Sequence, residues 1–234
     1  MGEFYSIAFD GPSGAGKSSL AKRVAAEFGF LYVDTGAIYR TVGLAAYRAG
    51  VDRKDENAVA ALLPGLDIKM GYNDEGEQRM YLNGEDVSAQ IRLPEISICA
   101  SDVAALPSVR AFLLGLQRKT AEENNVIMDG RDIGTVVLPN ADLKVFLTAS
   151  AEARANRRLL ELKAKGINAE FDEVLRDIMY RDEQDSSRAS APLKQAEDAI
   201  LADTTELDFE ESFKLLCDIV VNKLSLQTED FKDA

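Results

Sequence analysis

Short apolar runs recur along the chain with helix-patterned segments between them. Phe4 to Phe9 is strand-like and ends at a glycine-rich loop. Ser18 to Phe28 then sets Leu20, Val24 and Phe28 at four-residue spacing, the period of one helix face. Phe30-Leu31-Tyr32-Val33 predicts a second strand, stopped by Asp34-Thr35-Gly36, and Ala37 to Ala49 predicts the next helix. Val126-Ile127-Met128, Leu143 to Leu147 and Ala199-Ile200-Leu201 are further bounded runs of the fully buried parallel-strand type. Five such runs joined by helical connections predict a doubly wound α/β sheet, which binds ligands at the C-terminal ends of its strands.

Two stretches break this rhythm. Asp67 to Val87 reads as antiparallel hairpin material: Ile68-Lys69-Met70, turn residues from Tyr72 to Gly76, Met80-Tyr81-Leu82, then an Asn83-Gly84 turn. It predicts a β-rich lobe inserted between core strands. Ala151 to Ser190 is dense in charge and helical in pattern, with Gly166 between two helices. From charge alone this is either a mobile lid or a solvated helical hairpin. The tail after Leu226 is polar and is expected to fray.

Composition narrows the class. The 234 residues are 46% hydrophobic and 29% charged, which fits a soluble domain with one substantial core. No apolar run nears the ~20 residues of a membrane helix, and Met1 to Phe9 lacks the basic leader of a secretory signal. Cys99 and Cys217, far apart, are expected to be reduced thiols packed as small hydrophobes in a cytoplasmic protein. The absence of histidine removes His-dependent triads, the common histidine–zinc sites and phosphohistidine chemistry. A net charge of −13 argues against nucleic acid as the partner, and it requires a polyphosphate site to gather its arginines locally.

Gly11-Pro12-Ser13-Gly14-Ala15-Gly16-Lys17-Ser18, followed by Ser19, lies between the first strand and the first helix. A glycine turn in that place points backbone N–H groups inward and adds them to the positive helix N-terminus, a site for the phosphates of ATP. Lys17 is expected to reach the β- and γ-phosphates, and Ser18 to offer its hydroxyl directly to Mg²⁺. A guanine-reading motif is missing: the Asn222-Lys223 pair continues into Leu224-Ser225 inside a late amphipathic helix. Asp129, after Val126-Ile127-Met128, is placed to orient Mg²⁺ through water, the alternative being a helix N-cap. Gly130-Arg131 reads as a phosphate-binding turn.

Arginine suits phosphoryl transfer because its planar fork grips phosphate oxygens in pairs. Arg154, Arg157 and Arg158 have the spacing of one helix face, and Arg181, Asp185 and Arg188 form a second stripe if their helix continues. For each alone the alternative is a surface ion pair of little energetic weight.

Together GPSGAGKSS, DTGAIYR at 34–40, ASDVAALPSVR at 100–110, DGRDIGTVVLPNADLKVFLTAS at 129–150 and RDEQDSSRASAPL at 181–193 closely resemble bacterial cytidylate kinase, over nearly the whole chain. The resemblance implies a single P-loop kinase domain over residues 1–234. Its five-stranded parallel core would carry an antiparallel NMP-binding insertion near 62–97 and a helical lid near 151–185. It implies that Thr35, Arg110, Asp132 and Arg188 surround the cytosine base, and that Ser101, Arg181 and Asp185 sit near the sugar. Tyr39, Arg40 and Arg131 would hold the acceptor phosphate, while Arg157 and Arg158 would belong to the lid over ATP. Lys17, Arg131, Asp129 and Arg157 would then be the catalytic set.

The implied reaction moves the γ-phosphate of ATP to CMP, and to dCMP, with Mg²⁺, in a monomeric cytoplasmic enzyme of pyrimidine nucleotide metabolism that needs neither membrane nor nucleic acid. Asp132 can accept from the cytosine amine while Arg110 and Arg188 donate to O2 and N3; uracil would turn a carbonyl oxygen toward the carboxylate. The rival readings are another small P-loop kinase, acting on a different monophosphate or on shikimate, and a nucleotide-dependent switch without an acceptor.

Overall fold

The computed structural model describes residues 4–164 and 166–225. The polar tail after Leu226 lies outside the described residues. The strands are β1 (Ser6–Asp10), β2 (Leu31–Asp34), β3 (Ile68–Tyr72), β4 (Gln78–Leu82), β5 (Glu85–Asp86), β6 (Val126–Gly130), β7 (Leu143–Thr148) and β8 (Ile200–Asp203). The helices are α1 (Lys17–Glu27), α2 (Thr35–Ala49), α3 (Glu56–Leu62), α4 (Pro94–Ala104), α5 (Pro107–Glu123), α6 (Ala151–Ala164), α7 (Phe171–Ser187) and α8 (Phe209–Leu224). Contacts divide the chain into two compact units, Met1–Tyr32 with Glu123–Ala234, and Val33–Glu122.

The first unit is built on the predicted five-stranded parallel sheet, in the order β2-β6-β1-β7-β8. Its middle strand, β1, pairs in parallel with β6 on one side and β7 on the other, and the register sets Phe9 beside Asp129 and Asp10 beside Gly130. Ile7, Phe9, Val145 and Leu147 from the sheet pack with Leu20 and Val24 of α1, with Phe28 at its C-cap, and with Leu216 and Val220 of α8. Phe9 and Phe28 are fully buried, and burial of a side chain of this size contributes about 1.5–3 kcal/mol. Helix α8 opens with a capping box between Asp208 and Glu211. Helices α6 and α7 form a hairpin with its own small core of Ala155, Val174 and Ile178. Gly166, at φ 71°, takes the left-handed conformation that lets the chain leave α6.

In the second unit, α2 starts at Thr35, two residues before the position predicted. The carboxylate of Asp34 caps it, accepting from the Ala37 amide at 2.9 Å. Helix α2 packs on α4 at Gly43, where a Cβ would stand 2.8 Å from the Ala100 nitrogen. The predicted hairpin is present as the antiparallel sheet β3-β4-β5, with Ile68 opposite Leu82 and Met70 opposite Met80. Its second turn is Asn83-Gly84, both at positive φ, 52° and 84°, as a tight two-residue hairpin turn requires.

Candidate active site

The glycine loop leaves the end of β1 and enters α1 through two glycines that no other residue replaces without strain. Gly11, at φ 148°, lies so close to β7 that a Cβ would fall 1.9 Å from the Leu147 carbonyl oxygen. Gly16, at φ 85°, is the left-handed N-cap of α1. Lys17 follows it, buried, with Nζ donating to the Pro12 carbonyl at 2.7 Å. Burial, and next the positive charge of Arg131, push the Lys17 ammonium well below its usual basicity. A site that strains a cation in this way is electrostatically prepared for a polyanion.

Asp129 is held from both sides. Ser18 Oγ donates to Oδ2 at 2.7 Å, and the Tyr32 hydroxyl donates to Oδ1 at 2.9 Å. Asp129 lies inside β6 rather than at a helix N-cap, and the parallel register with β1 is what brings it to the loop.

Two carboxylates that the sequence reading passed over complete the surroundings of the loop. Asp10, the last residue of β1, accepts from the amides of Ile133 and Gly134 at 2.8 and 2.7 Å and so holds the π-helical turn Ile133–Val137 that follows Arg131 and Asp132. Burial raises its pKa to about 6 against the pull of those amides. Asp182 of α7 pairs with Arg154 of α6 at 2.7 Å and accepts from the Ser13 amide at 3.3 Å. Arg154 also donates to the carbonyls of Ser13 and Ala149, each at 2.9 Å. Both had a signal: Asp10, like Asp129, is a carboxylate where a strand meets a loop, and Asp182 precedes Asp185 by one helical turn.

The two arginine stripes need correction. Helix α7 ends at Ser187, and Arg188 is already extended, at φ −62° and ψ 140°, so Arg181, Asp185 and Arg188 do not lie on one continuous helix face. Pro192 and Ala191, the latter at φ 48°, belong to the turn that follows, and the Ala191 carbonyl accepts from Arg188 Nε at 3.0 Å. Arg188 nevertheless stays 3.8 Å from Asp185. Asp185 also accepts from Arg131 Nε at 2.7 Å. Burial alone would push the Asp185 carboxyl up; Arg131, helped by Arg188 and Arg181, outweighs it and holds the group below the usual carboxylate range. Arg181 itself is exposed.

Arg154, Arg157 and Arg158, expected on one face, go three ways. Arg154 is buried against the loop. Arg157 donates to Thr204 and to the Leu207 carbonyl, and exposed Arg158 pairs with Glu161 at 2.9 Å.

Within the second unit, Arg40 is clasped by Asp34 at 2.6 Å, so the residue that caps α2 also orients an arginine of its second turn. The Arg110 guanidinium lies 5.6 Å from the centre of the Tyr39 ring, a cation–π distance. Thr35 and Arg110 are buried, whereas Ser101 on α4 is exposed.

Ser18 and Asp129 supply oxygen donors only, and among the described residues no group of three His, Cys, Asp or Glu side chains could hold a metal ion. That donor set fits Mg²⁺, which keeps waters and takes phosphate oxygens rather than filling a protein cage. The cysteines offer no competing chemistry: Cys99 is buried against Arg53, and burial pushes the Cys217 thiol up to about 11.

A glycine loop rooted in the middle strand of a parallel sheet, with its lysine and serine at the start of the next helix, defines a P-loop phosphotransferase. The cytidylate kinase family model matches residues 7–224, and the chain belongs to that family. A cytidylate kinase of Syntrophotalea carbinolica is 48% identical over 217 residues, 93% of this chain and 92% of that one. One from Pasteurella multocida is 51% identical over 205 residues, 88% of this chain and 90% of its own. Among solved structures, shikimate kinase from Bacteroides thetaiotaomicron is a distant likeness, at 16% identity and a TM-score of 0.46 over 95% of this chain and 99% of that one.

Proposed function

We propose that this chain transfers the γ-phosphate of ATP to CMP, and to dCMP, giving ADP and the nucleoside diphosphate. The observation that carries the reading is the Ser18–Asp129 contact at 2.7 Å, which joins the phosphate loop to the strand that leads into Arg131. Lys17 on the loop and Arg131 just past that strand are the charges that would stabilise a transferring phosphoryl group.

The acceptor needs no general base, because a phosphate oxygen is already a nucleophile at neutral pH. The loop amides and Lys17 bind the donor phosphates, and Arg131, Arg40 and Tyr39 serve the acceptor phosphate. Asp132, Thr35, Arg110 and Arg188 read the base, and Ser101, Arg181 and Asp185 serve the sugar. Arg157 and Arg158 act on the donor side when the α6–α7 hairpin serves as a lid. Ser18 and Asp129 would hold Mg²⁺, the serine directly and the aspartate through water. When bound, this ion neutralises charge on the donor phosphates. We read the enzyme as a monomer of the cytoplasm.

A coupled assay of ADP release against CMP, dCMP, UMP, AMP and shikimate tests the reading. CMP and dCMP should give the highest kcat/KM. Faster turnover with any other acceptor would overturn it, and tight ATP binding with transfer to none would restore the switch reading.

A further inference from the structure

The backbone of Ser13, inside the phosphate loop, is gripped at both its N–H and its C=O by an ion pair of α6 and α7. Asp182 Oδ1 accepts from the Ser13 amide at 3.3 Å, and Arg154 Nη1 donates to the Ser13 carbonyl at 2.9 Å. The pair closes on itself at 2.7 Å, and Arg154 Nε is tied to the Ala149 carbonyl at 2.9 Å, where β7 runs out toward α6. Gly14, at φ 74°, packs directly against this hairpin: a Cβ there would be in ordinary contact with Arg154 Cβ at 3.4 Å and Ile178 Cδ1 at 3.5 Å. The α6–α7 hairpin is thus bolted to the outer side of the loop.

We infer that Arg154 and Asp182 are positioning residues for the donor nucleotide: they fix the two peptide groups flanking the Ser13 Cα so that the following loop amides stay turned toward the phosphates. The assignment rests on the phosphate-loop half of the proposed function. A flexible loop must be ordered each time a nucleotide binds, and the side-chain clamp removes that cost in advance. Its effect belongs to ATP and not to the acceptor. One turn further along α7, Asp185 does the corresponding service for Arg131, so Asp182 and Asp185 serve different parts of the site.

The test compares wild type with Asp182→Asn, Arg154→Lys and the charge-free double variant Arg154→Met/Asp182→Leu. The double variant leaves no unpaired buried charge and so guards against simple misfolding. The measurements are KM for ATP and for CMP, and direct calorimetric binding of a non-hydrolysable ATP analogue. Asp182→Asn and the double variant should raise KM for ATP, and the Kd of the analogue, by about tenfold or more, with KM for CMP changed less than about twofold; this size corresponds to one charged hydrogen bond. The conservative Arg154→Lys should retain part of the affinity. A purely structural role predicts a lower melting temperature with an unchanged KM for ATP in the folded fraction, and that result would overturn the inference. So would a double variant that binds the analogue as wild type does. If wild type fails to phosphorylate CMP, the acceptor assignment fails, while the analogue titration still decides the role of the clamp.

Discussion

Ser18 and Asp129 lie 111 residues apart in sequence, and their side chains meet at 2.7 Å because β1 and β6 are parallel neighbours. The hydroxyl donates, so the serine oxygen keeps its lone pairs, and Tyr32 fixes the other carboxylate oxygen at 2.9 Å. Asp129→Ala should therefore weaken Mg²⁺ binding, raising the concentration needed for half-maximal rate, without unfolding the loop. The expected loss in metal affinity or activity is about 10–100-fold, the usual effect of removing an outer-sphere partner. A Mg²⁺ titration of the initial rate measures it, and a half-saturating concentration equal to that of wild type would count against the role.

Lys17 separates chemistry from stability. Its ammonium is buried and pushed down in basicity, first by desolvation and then by Arg131, so the empty fold gains little from its charge. Lys17→Met should lower kcat by at least about 10²–10³, the scale of losing one pre-set electrostatic stabiliser. Its melting temperature should stay at or above that of wild type. Single-turnover kinetics beside thermal melts would show both, and near-normal turnover would remove Lys17 from the reaction.

Asp10 makes stability depend on pH with a definite sign. Its pKa rises from 3.8 to about 6 on folding, chiefly through burial, with Asp132 adding to the rise and Lys17 and the Ile133 and Gly134 amides opposing it. The folded state then binds this proton more tightly than the unfolded chain. Its contribution is most favourable below about pH 4, declines as pH rises to about 6, and is flat above, a change of about 3 kcal/mol in all. Asp10→Asn cannot titrate, and it loses one amide partner at every pH. Denaturant melts between pH 4.5 and 7 should show wild type losing stability relative to Asp10→Asn as pH rises; a constant difference would contradict the assignment.

Asp132 is buried two residues beyond β6, next to Arg131 and just before the turn Ile133–Val137. If it accepts from the cytosine amine, Asp132→Ala should narrow the CMP-to-UMP ratio of kcat/KM by about 10–100-fold, the worth of a hydrogen bond to a charged group in a dry pocket. The loss should fall on CMP. A ratio that stays the same as in wild type would take Asp132 out of base recognition.

What the sequence disclosed and what it hid follow from range. The strands, the hairpin around Asn83-Gly84 and the loop from Gly11 to Ser18 depend on local pattern, and each was legible in the apolar periods and turn residues. Asp34 was read as a strand stop, but its part in capping α2 and clasping Arg40 depends on where its carboxylate turns. The Arg181–Arg188 stripe failed because periodicity does not reveal where a helix stops, and α7 stops one residue short. Arg154, Arg157 and Arg158 share a spacing, yet only packing decides which of them reaches the loop. Asp182 meets Ser13 across 169 positions, a contact that no local pattern encodes.

The place of β1 at the middle of the sheet has a thermal consequence. Ladders on both sides lock Ile7 to Asp10, and Gly11 is wedged against the Leu147 carbonyl. The root of the phosphate loop therefore cannot loosen by fraying, as an edge strand would, and its amides exchange with solvent only when the whole sheet opens. On heating, ATP-analogue binding should persist up to the main unfolding transition of the sheet. Calorimetry with and without the analogue, set beside hydrogen exchange at Ile7, Ala8 and Phe9, would reveal whether the loop outlasts its surroundings or melts before them.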